Sequence, residues 1–200
     1  MTAPAMTEET LESAVLAMYT DVATASDKEY HFWTGRTAAE LFGYRLGWIE
    51  AVPRQSVDSF AGVGNPHLDL DIPAGATVVD LGSGAGFDLF IAAYRAGPTG
   101  RAIGVDMNDT MLRKARELAS LHGLDTCEFR KGRLEDLPVD AGTADIAISN
   151  GVINLSFRKK RAMAEAFRVL RPGGRASLTD VVSDTIIPAS IADDPKLWAS

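Results

Sequence analysis

The run Thr77-Val78-Val79-Asp80-Leu81-Gly82-Ser83-Gly84-Ala85-Gly86 constrains this chain more than any other segment. Three β-branched residues lead to an acid, glycine then takes every second position, and the helix-forming stretch Phe87–Arg95 follows. This order predicts a buried strand that turns sharply into a helix. Glycine is needed where φ is positive or where a ligand must come close to main-chain atoms. At the carboxyl end of a parallel strand, such a loop lies where open α/β sheets bind nucleotides. Its G-x-G-x-G spacing departs from the G-x-G-x-x-G of dinucleotide sites and from the G-x-x-x-x-G-K-[ST] of phosphate loops. No Lys follows Gly86, and the next four residues include no Ser or Thr, so the cation that a triphosphate needs is missing. A nucleoside cofactor without phosphates fits better, and S-adenosylmethionine is the expected one.

From about residue 73 strands and helices alternate. Strands are expected at Thr77–Leu81, Ala102–Asp106, Thr126–Arg130, Asp145–Ser149 and Arg175–Asp180. Between them fall a helix running to about Ala96, one capped by Asn108 or Asp109 with Met111, Leu112, Ala115, Leu118 and Ala119 inward, and one near Phe157–Leu170. Arg171-Pro172-Gly173-Gly174 carries the breakers that end a helix. The alternation demands an α/β fold with a doubly wound, mostly parallel, Rossmann-like sheet, here ending after five strands. Residues 1–72 lack the alternation and form a helical cap segment, with 73–200 as the cofactor-binding domain. In the cap, Thr7 is placed to start a helix whose Leu11, Val15, Met18, Tyr19 and Val22 share a face. Helices over Thr37–Phe42 and Leu46–Ala51 follow, Pro53 ends the latter, and Ser59–Pro66 is loop by composition. Only 20 residues remain after Asp180, too few for another helix and a closing hairpin. The sheet is therefore expected to keep an open edge, through which the chain self-associates.

Hydrophobic residues make up 46% and charged residues 24% of the chain, as in ordinary globular domains. The net charge of −7 and the lack of a basic stripe argue against a nucleic-acid partner, with Arg158–Arg161 taken as a solvated helix face. No apolar stretch nears the roughly 18 residues of a membrane span. Met1–Met6 has neither the charged start nor the apolar core of a secretory signal. A single cysteine, Cys127, rules out an internal disulfide and fits a cytoplasmic location. Sharing a strand face with Phe129, Cys127 is expected to be a small buried hydrophobe.

Asp106 ends the second strand twenty residues beyond Gly86, where a carboxylate can accept both ribose hydroxyls of an adenosine. Its competing role is a helix N-cap. Met107 packs on an adenine face or joins the core. Asp80, at the mouth of the first strand, orients the glycine loop or meets the cofactor ammonium. The backbone N–H of Leu134 and the side chain of Glu135 stand where an adenine edge falls. Asn150, in the loop Ser149-Asn150-Gly151-Val152-Ile153-Asn154-Leu155, holds the methionine part or the acceptor, or is only a turn former. With Gly82, Gly84 and Gly86 these residues complete the candidate cofactor site. His31, His67 and His122 show no metal spacing; His31 or His67 becomes a candidate base if the cap segment covers the site.

Together, Asp80–Gly86, Gly104-Val105-Asp106-Met107 and the Ser149–Leu155 loop resemble a class I S-adenosylmethionine methyltransferase. More narrowly, with Phe60–Pro66 and Arg168–Gly174, the chain from about residue 56 resembles the arsenite methyltransferases. That resemblance implies arsenic(III) bound by cysteine thiolates at the positions of Val63 and Gly151, with a third just beyond Ser200. Val63 and Gly151 carry no thiol, so the cofactor half of the likeness holds and the substrate half does not. The expectation is a methyltransferase acting on a small acceptor. The alternatives are a non-catalytic or truncated S-adenosylmethionine-binding protein and a nicotinamide-dependent oxidoreductase on the same architecture.

Overall fold

The computed structural model describes residues 7–25, 28, 30–185 and 198. The expectations for residues 1–6 and for most of the chain after 185 lie outside these. Four helices come first: α1 (Glu8–Thr24), α2 (Gly35–Leu41), α3 (Leu46–Ala51) and α4 (Arg54–Asp58). Then follow β1 (Thr77–Leu81), α5 (Phe87–Ala96), β2 (Arg101–Asp106), α6 (Asp109–Leu121), β3 (Cys127–Lys131), β4 (Ala144–Asn150), a 3-10 turn (Ile153–Leu155), α7 (Lys159–Val169) and β5 (Leu170–Thr179). All neighbouring strands are parallel, in the order β3-β2-β1-β4-β5. The order reverses between β1 and β4, and there an open sheet leaves a crevice at its carboxyl edge.

Alternate residues of β1 serve opposite faces. Val78 packs with Ala92, Ala96, Ile146 and Ile148, while Val79 and Leu81 pack with Ala147, Ala166 and Val169. Coverage on both faces explains why the strand is apolar except for Asp80. The N-terminal helices do not stand apart: Ala38, Tyr44, Ile49, Val57 and Phe60 share one core with Phe87, Phe90 and Leu112. Cys127 is half-buried against that core, and burial pushes its thiol up to about 11.

The helix after Pro53 was not expected, and α2 starts at Gly35, ahead of the expected Thr37. A larger correction concerns Arg171–Gly174. The helix stops at Val169, and Leu170 already pairs with Ala144; the ladder then resumes with Ile146 opposite Arg175. The breakers thus form a bulge inside β5 rather than a turn before it, and Gly173 takes the positive φ. Arg171 pairs there with Asp145. None of β5 is buried, unlike the central strands.

Gly104 lets the glycine loop settle on the sheet. A Cβ there would lie 2.6 Å from Ser83 Oγ and 2.9 Å from Leu89 Cδ2. Gly104→Ala is therefore expected to destabilise the fold by about 1–3 kcal/mol, as overpacking does. Urea unfolding checks this, and an unchanged midpoint would show that the loop can move aside.

Candidate active site

The glycine loop is built by three different demands. Gly82 (φ +74°) and Gly86 (φ +90°) have no room for a side chain, since a Cβ would reach Val152 at 2.6 Å and the Phe90 ring at 2.8 Å. Gly84 (φ +51°) instead faces open space, with nothing nearer than Met111 Sδ at 4.0 Å. Gly82 N and Ser83 N both donate to Val105 O, which ties the loop to β2. Across from it, Asp106 Oδ2 accepts from Gly84 N and Oδ1 from Asn108 N, each at 2.8 Å. Asn108, not Asp106, caps α6, its Oδ1 accepting from Thr110 N and Met111 N. Asp106 therefore links loop to helix and faces the crevice.

The crevice has two lobes that share Val15, Gly82, Asp106, Met107, Val152 and Leu155. The first adds Gly132, Arg133, Leu134 and Glu135. The second adds Asp80, Ser83, Gly84, Ala85, Asp88 and Asn150. Asp80, Gly82, Gly84, Asp106, Met107, Leu134, Glu135 and Asn150 thus all line one cleft, while Gly86 starts α5 behind it. Two of these side chains are committed to the protein. The Glu135 carboxylate accepts from Ser156 Oγ, and the Glu135 carbonyl from Arg161 Nε at 3.0 Å. Asn150 Oδ1 accepts from Val63 N (2.9 Å), Gly64 N (3.1 Å) and Thr179 Oγ1 (2.9 Å). Its Nδ2 faces Gly64 O (2.9 Å), Asp88 Oδ2 (3.0 Å) and Tyr44 Oη (3.1 Å). The amide is spent on holding the loop at 62–64, so Asn150 frames the cleft rather than offering it a free group.

Charge in the second lobe is one-sided. Its lining carries Asp80, Asp88 and Asp106 and no Lys or Arg. Burial, then the charges of Asp88 and Asp106, push the Asp80 carboxyl well above its usual range. Burial also raises Asp106, opposed by the N–H groups of Asn108, Gly84 and Met107. Asp88 is held by Tyr44 Oη at 2.6 Å, and burial followed by that carboxylate raises the Tyr44 phenol. Asp80 has no hydrogen-bond partner among the described residues, and neither has the buried Ser83 Oγ. An unpartnered hydroxyl, a lone carboxylate and an open Gly84 are what a polar, cationic ligand would complete.

Helix α1 forms the roof, with Leu11, Val15, Leu16 and Tyr19 over the cleft. Burial, with Asp106 and Asp180 nearby, pushes the Tyr19 phenol up to about 12. The spacing of these residues signalled a buried face but not what it covers. Neither histidine lines the cleft: His67 is buried behind Asp88, its Nε2 3.3 Å from that carboxylate and its Nδ1 3.3 Å from Arg95, and His31 is exposed beside Phe32. Nor is the 158–161 cluster simply solvated: Arg158 reaches Glu8 and Lys159 donates to Asn154 O and Ser156 O.

This combination of a reversed parallel sheet, a glycine loop and a carboxylate at the end of β2 has relatives. Residues 72–200 match the family described as a methyltransferase domain, and the chain belongs to that family. It is similar to an arsenite methyltransferase of Halobacterium salinarum, 41% identical over 162 residues, which are 81% of this chain and 41% of that protein. A second, from Aquipseudomonas alcaligenes, is 37% identical over 131 residues, 62% of this chain and 38% of that protein. Among solved structures it is similar to CrArsM, an arsenic(III) S-adenosylmethionine methyltransferase from Chlamydomonas reinhardtii. The TM-score there is 0.70 at 36% identity, covering 76% of this chain and 53% of that one. The chain spans about two fifths of the length of the curated relatives it matches.

Two outcomes follow from the site itself. Asn150→Ala should cost about 1–3 kcal/mol, since it strands mostly part-buried donors and acceptors on three segments; thermal unfolding measures it. Asp80→Asn should stabilise the ligand-free protein by about 0.5–2 kcal/mol at neutral pH, the common size of such a gain. Because the folded carboxyl titrates above its unfolded value, its contribution is intact below about pH 4 and is lost as pH rises through the raised folded value. The advantage of Asp80→Asn should thus grow from pH 4 to pH 8, and a pH-independent difference would contradict it.

Proposed function

We propose that the cleft binds S-adenosylmethionine and that the chain transfers its methyl group to a small acceptor other than arsenite. The observation that carries the cofactor reading is the second lobe's lining of three carboxylates with no cation. Such a lining repels the pyrophosphate of a nicotinamide dinucleotide and favours a ligand bearing an ammonium and a sulfonium. Asp106 is placed to accept the ribose hydroxyls, Asp80 to face the ammonium, and the segment Leu134–Glu135 to border the adenine. The cofactor supplies an activated methyl on sulfur. What remains for the protein is to align the acceptor and keep water out, which α1 does as roof. Residues 1–72 act in this reading as the cap and 73–200 as the binding domain, in a chain working in the cytoplasm.

The acceptor reading rests on Val63 and Gly151. They meet in space: a Cβ on Gly151 would lie 3.1 Å from Val63 Cγ1. Gly151 also has φ +76°, which a side chain rarely adopts. An isopropyl group against a bare backbone cannot hold a soft, three-coordinate arsenic, which calls for converging thiolates. Cys127 lies on β3, away from both.

Calorimetry should show S-adenosylmethionine and its demethylated product binding, with NAD not binding; the reverse order would end the cofactor assignment. Asp106→Ala should weaken that binding by about 1.5–3 kcal/mol, the worth of hydrogen bonds to a charged group. Incubation with arsenite, thiol and labelled cofactor should give no methylated arsenic above a heat-killed control, and clear turnover would restore arsenite as acceptor. Among the described residues β5 is an edge strand, and self-association through it is expected; a monodisperse monomer in sedimentation would refute that.

A further inference from the structure

Helix α1 is tied down unevenly. Near its C-terminus, Asn108 Nδ2 donates to Leu16 O (3.1 Å) and Thr20 Oγ1 (2.9 Å), and Lys114 Nζ donates to Ala23 O (2.9 Å). These bonds are part-buried, and Val22 and Ala23 pack beside them with Ala85 and Met111. At its N-terminal end the polar ties to the body of the protein are ion pairs, those of Arg133 part-buried and that of Arg158 exposed, beside the apolar packing of Leu11 and Val15 with Met107, Leu155 and Trp198. Arg133 reaches Glu12 at 2.7 Å and Glu8 at 3.1 Å, and Arg158 reaches Glu8 at 2.8 Å. Leu11 and Val15, between these two sets of ties, roof the first lobe. The free space is about 90 Å³ in each lobe, whereas ligand pockets begin at roughly 300 Å³. Raising the N-terminal half of the roof would widen the first lobe for a nucleoside.

We propose that the N-terminal half of α1, residues 8–15, is a lid hinged near Leu16, and that Arg133 and Arg158 latch it through Glu8 and Glu12. The inference rests on the cleft being the cofactor site proposed above. Arg133 is here a positioning residue: it holds the lid over the first lobe from the segment that follows β3. Ion pairs that keep contact with water, as these do, are individually weak and screened by salt, which suits a latch that must open in every cycle. Opening limits entry as well as exit, because a ligand binds only the open fraction. A lost latch therefore speeds both directions, while loss of a direct ligand contact speeds exit alone.

The test combines hydrogen–deuterium exchange of the ligand-free chain with stopped-flow binding of S-adenosylhomocysteine. The proteins are the full chain and its Arg158→Gln, Glu12→Gln, Arg133→Gln and Glu12→Gln/Arg133→Gln variants. Amides of residues 9–16 should exchange about three- to tenfold faster in the variants, with residues 17–24 unchanged. Association and dissociation should accelerate together by a similar factor. The double variant should be no faster than the faster of its two single variants, since the two residues share one interaction. Raising salt from about 0.05 to about 0.5 M should speed exchange in the wild type more than in the double variant. Arg158 does not line the first lobe, so its effect cannot be a lost ligand contact. Unchanged exchange at residues 9–16 in all variants, or faster dissociation with unchanged association, would overturn the latch. Faster exchange in the variants with no binding of S-adenosylhomocysteine would overturn the cofactor reading and leave the lid standing.

Discussion

The carboxyl edge of the sheet depends on one side-chain amide. Asn150 ends β4 at the point where the strand order reverses, and its two polar atoms reach the 62–64 loop, Thr179 of β5, Tyr44 and Asp88 of α5. The two main-chain N–H groups fix which end of the amide is oxygen. A residue with both donor and acceptor can meet a carboxylate on one side and backbone N–H groups on the other, which Asp or Leu of similar size cannot. Gly62 follows from this clamp, because a Cβ there would lie 2.4 Å from Asn150 Nδ2. The N-terminal helices are thereby locked to the sheet by polar bonds as well as by the shared aromatic core of Tyr44, Phe60 and Phe87.

Below the clamp the molecule accepts an electrostatic cost. Three carboxylates border one small lobe, and one of them, Asp80, is almost fully buried and without a partner among the described residues. Buried like charges are unfavourable and raise one another's proton affinity. A fold optimised only for stability would place an amide or an aliphatic residue at position 80. Asp80 would be relieved of that cost by the cationic ligand proposed above. The ion pairs of α1 are part-buried or exposed, while Leu11 and Val15 on its apolar underside line the cleft.

Much of the architecture was legible because it is written in short-range patterns. The β-branched run at 77–79, the glycine spacing and a cap at Asn108 or Asp109 are local stereochemistry, and β1 to β4 lie within a residue of where the alternation put them, while β5 starts five residues early. The misses have local causes too. Arg171–Gly174 carries the residues of a helix stop, with the strand expected only from Arg175, but β4 offers Leu170 a partner before the breakers begin, so they bulge within the strand. The five-residue α4 is too short to show a period. Asp80 and Asp106, singled out from their places at strand ends, both line the cleft. That Glu135 and Asn150 are committed to internal bonds was invisible, because their partners, Ser156 for one and Val63, Gly64 and Asp88 for the other, are distant in the chain.

By itself the sequence determined the class of fold and where in it the glycine loop opens a crevice. These rest on φ/ψ preferences and side-chain periodicity, which act over a few residues. Only the tertiary structure decided that α1 is a roof, that Arg133 and Arg158 hold it and that Val63 closes on Gly151. Each of these joins segments between 88 and 150 residues apart in the chain. Nothing in the local pattern of Glu8 names Arg158 as its partner. Packing of the whole sheet brings such groups together, and the charge they carry then acquires a function.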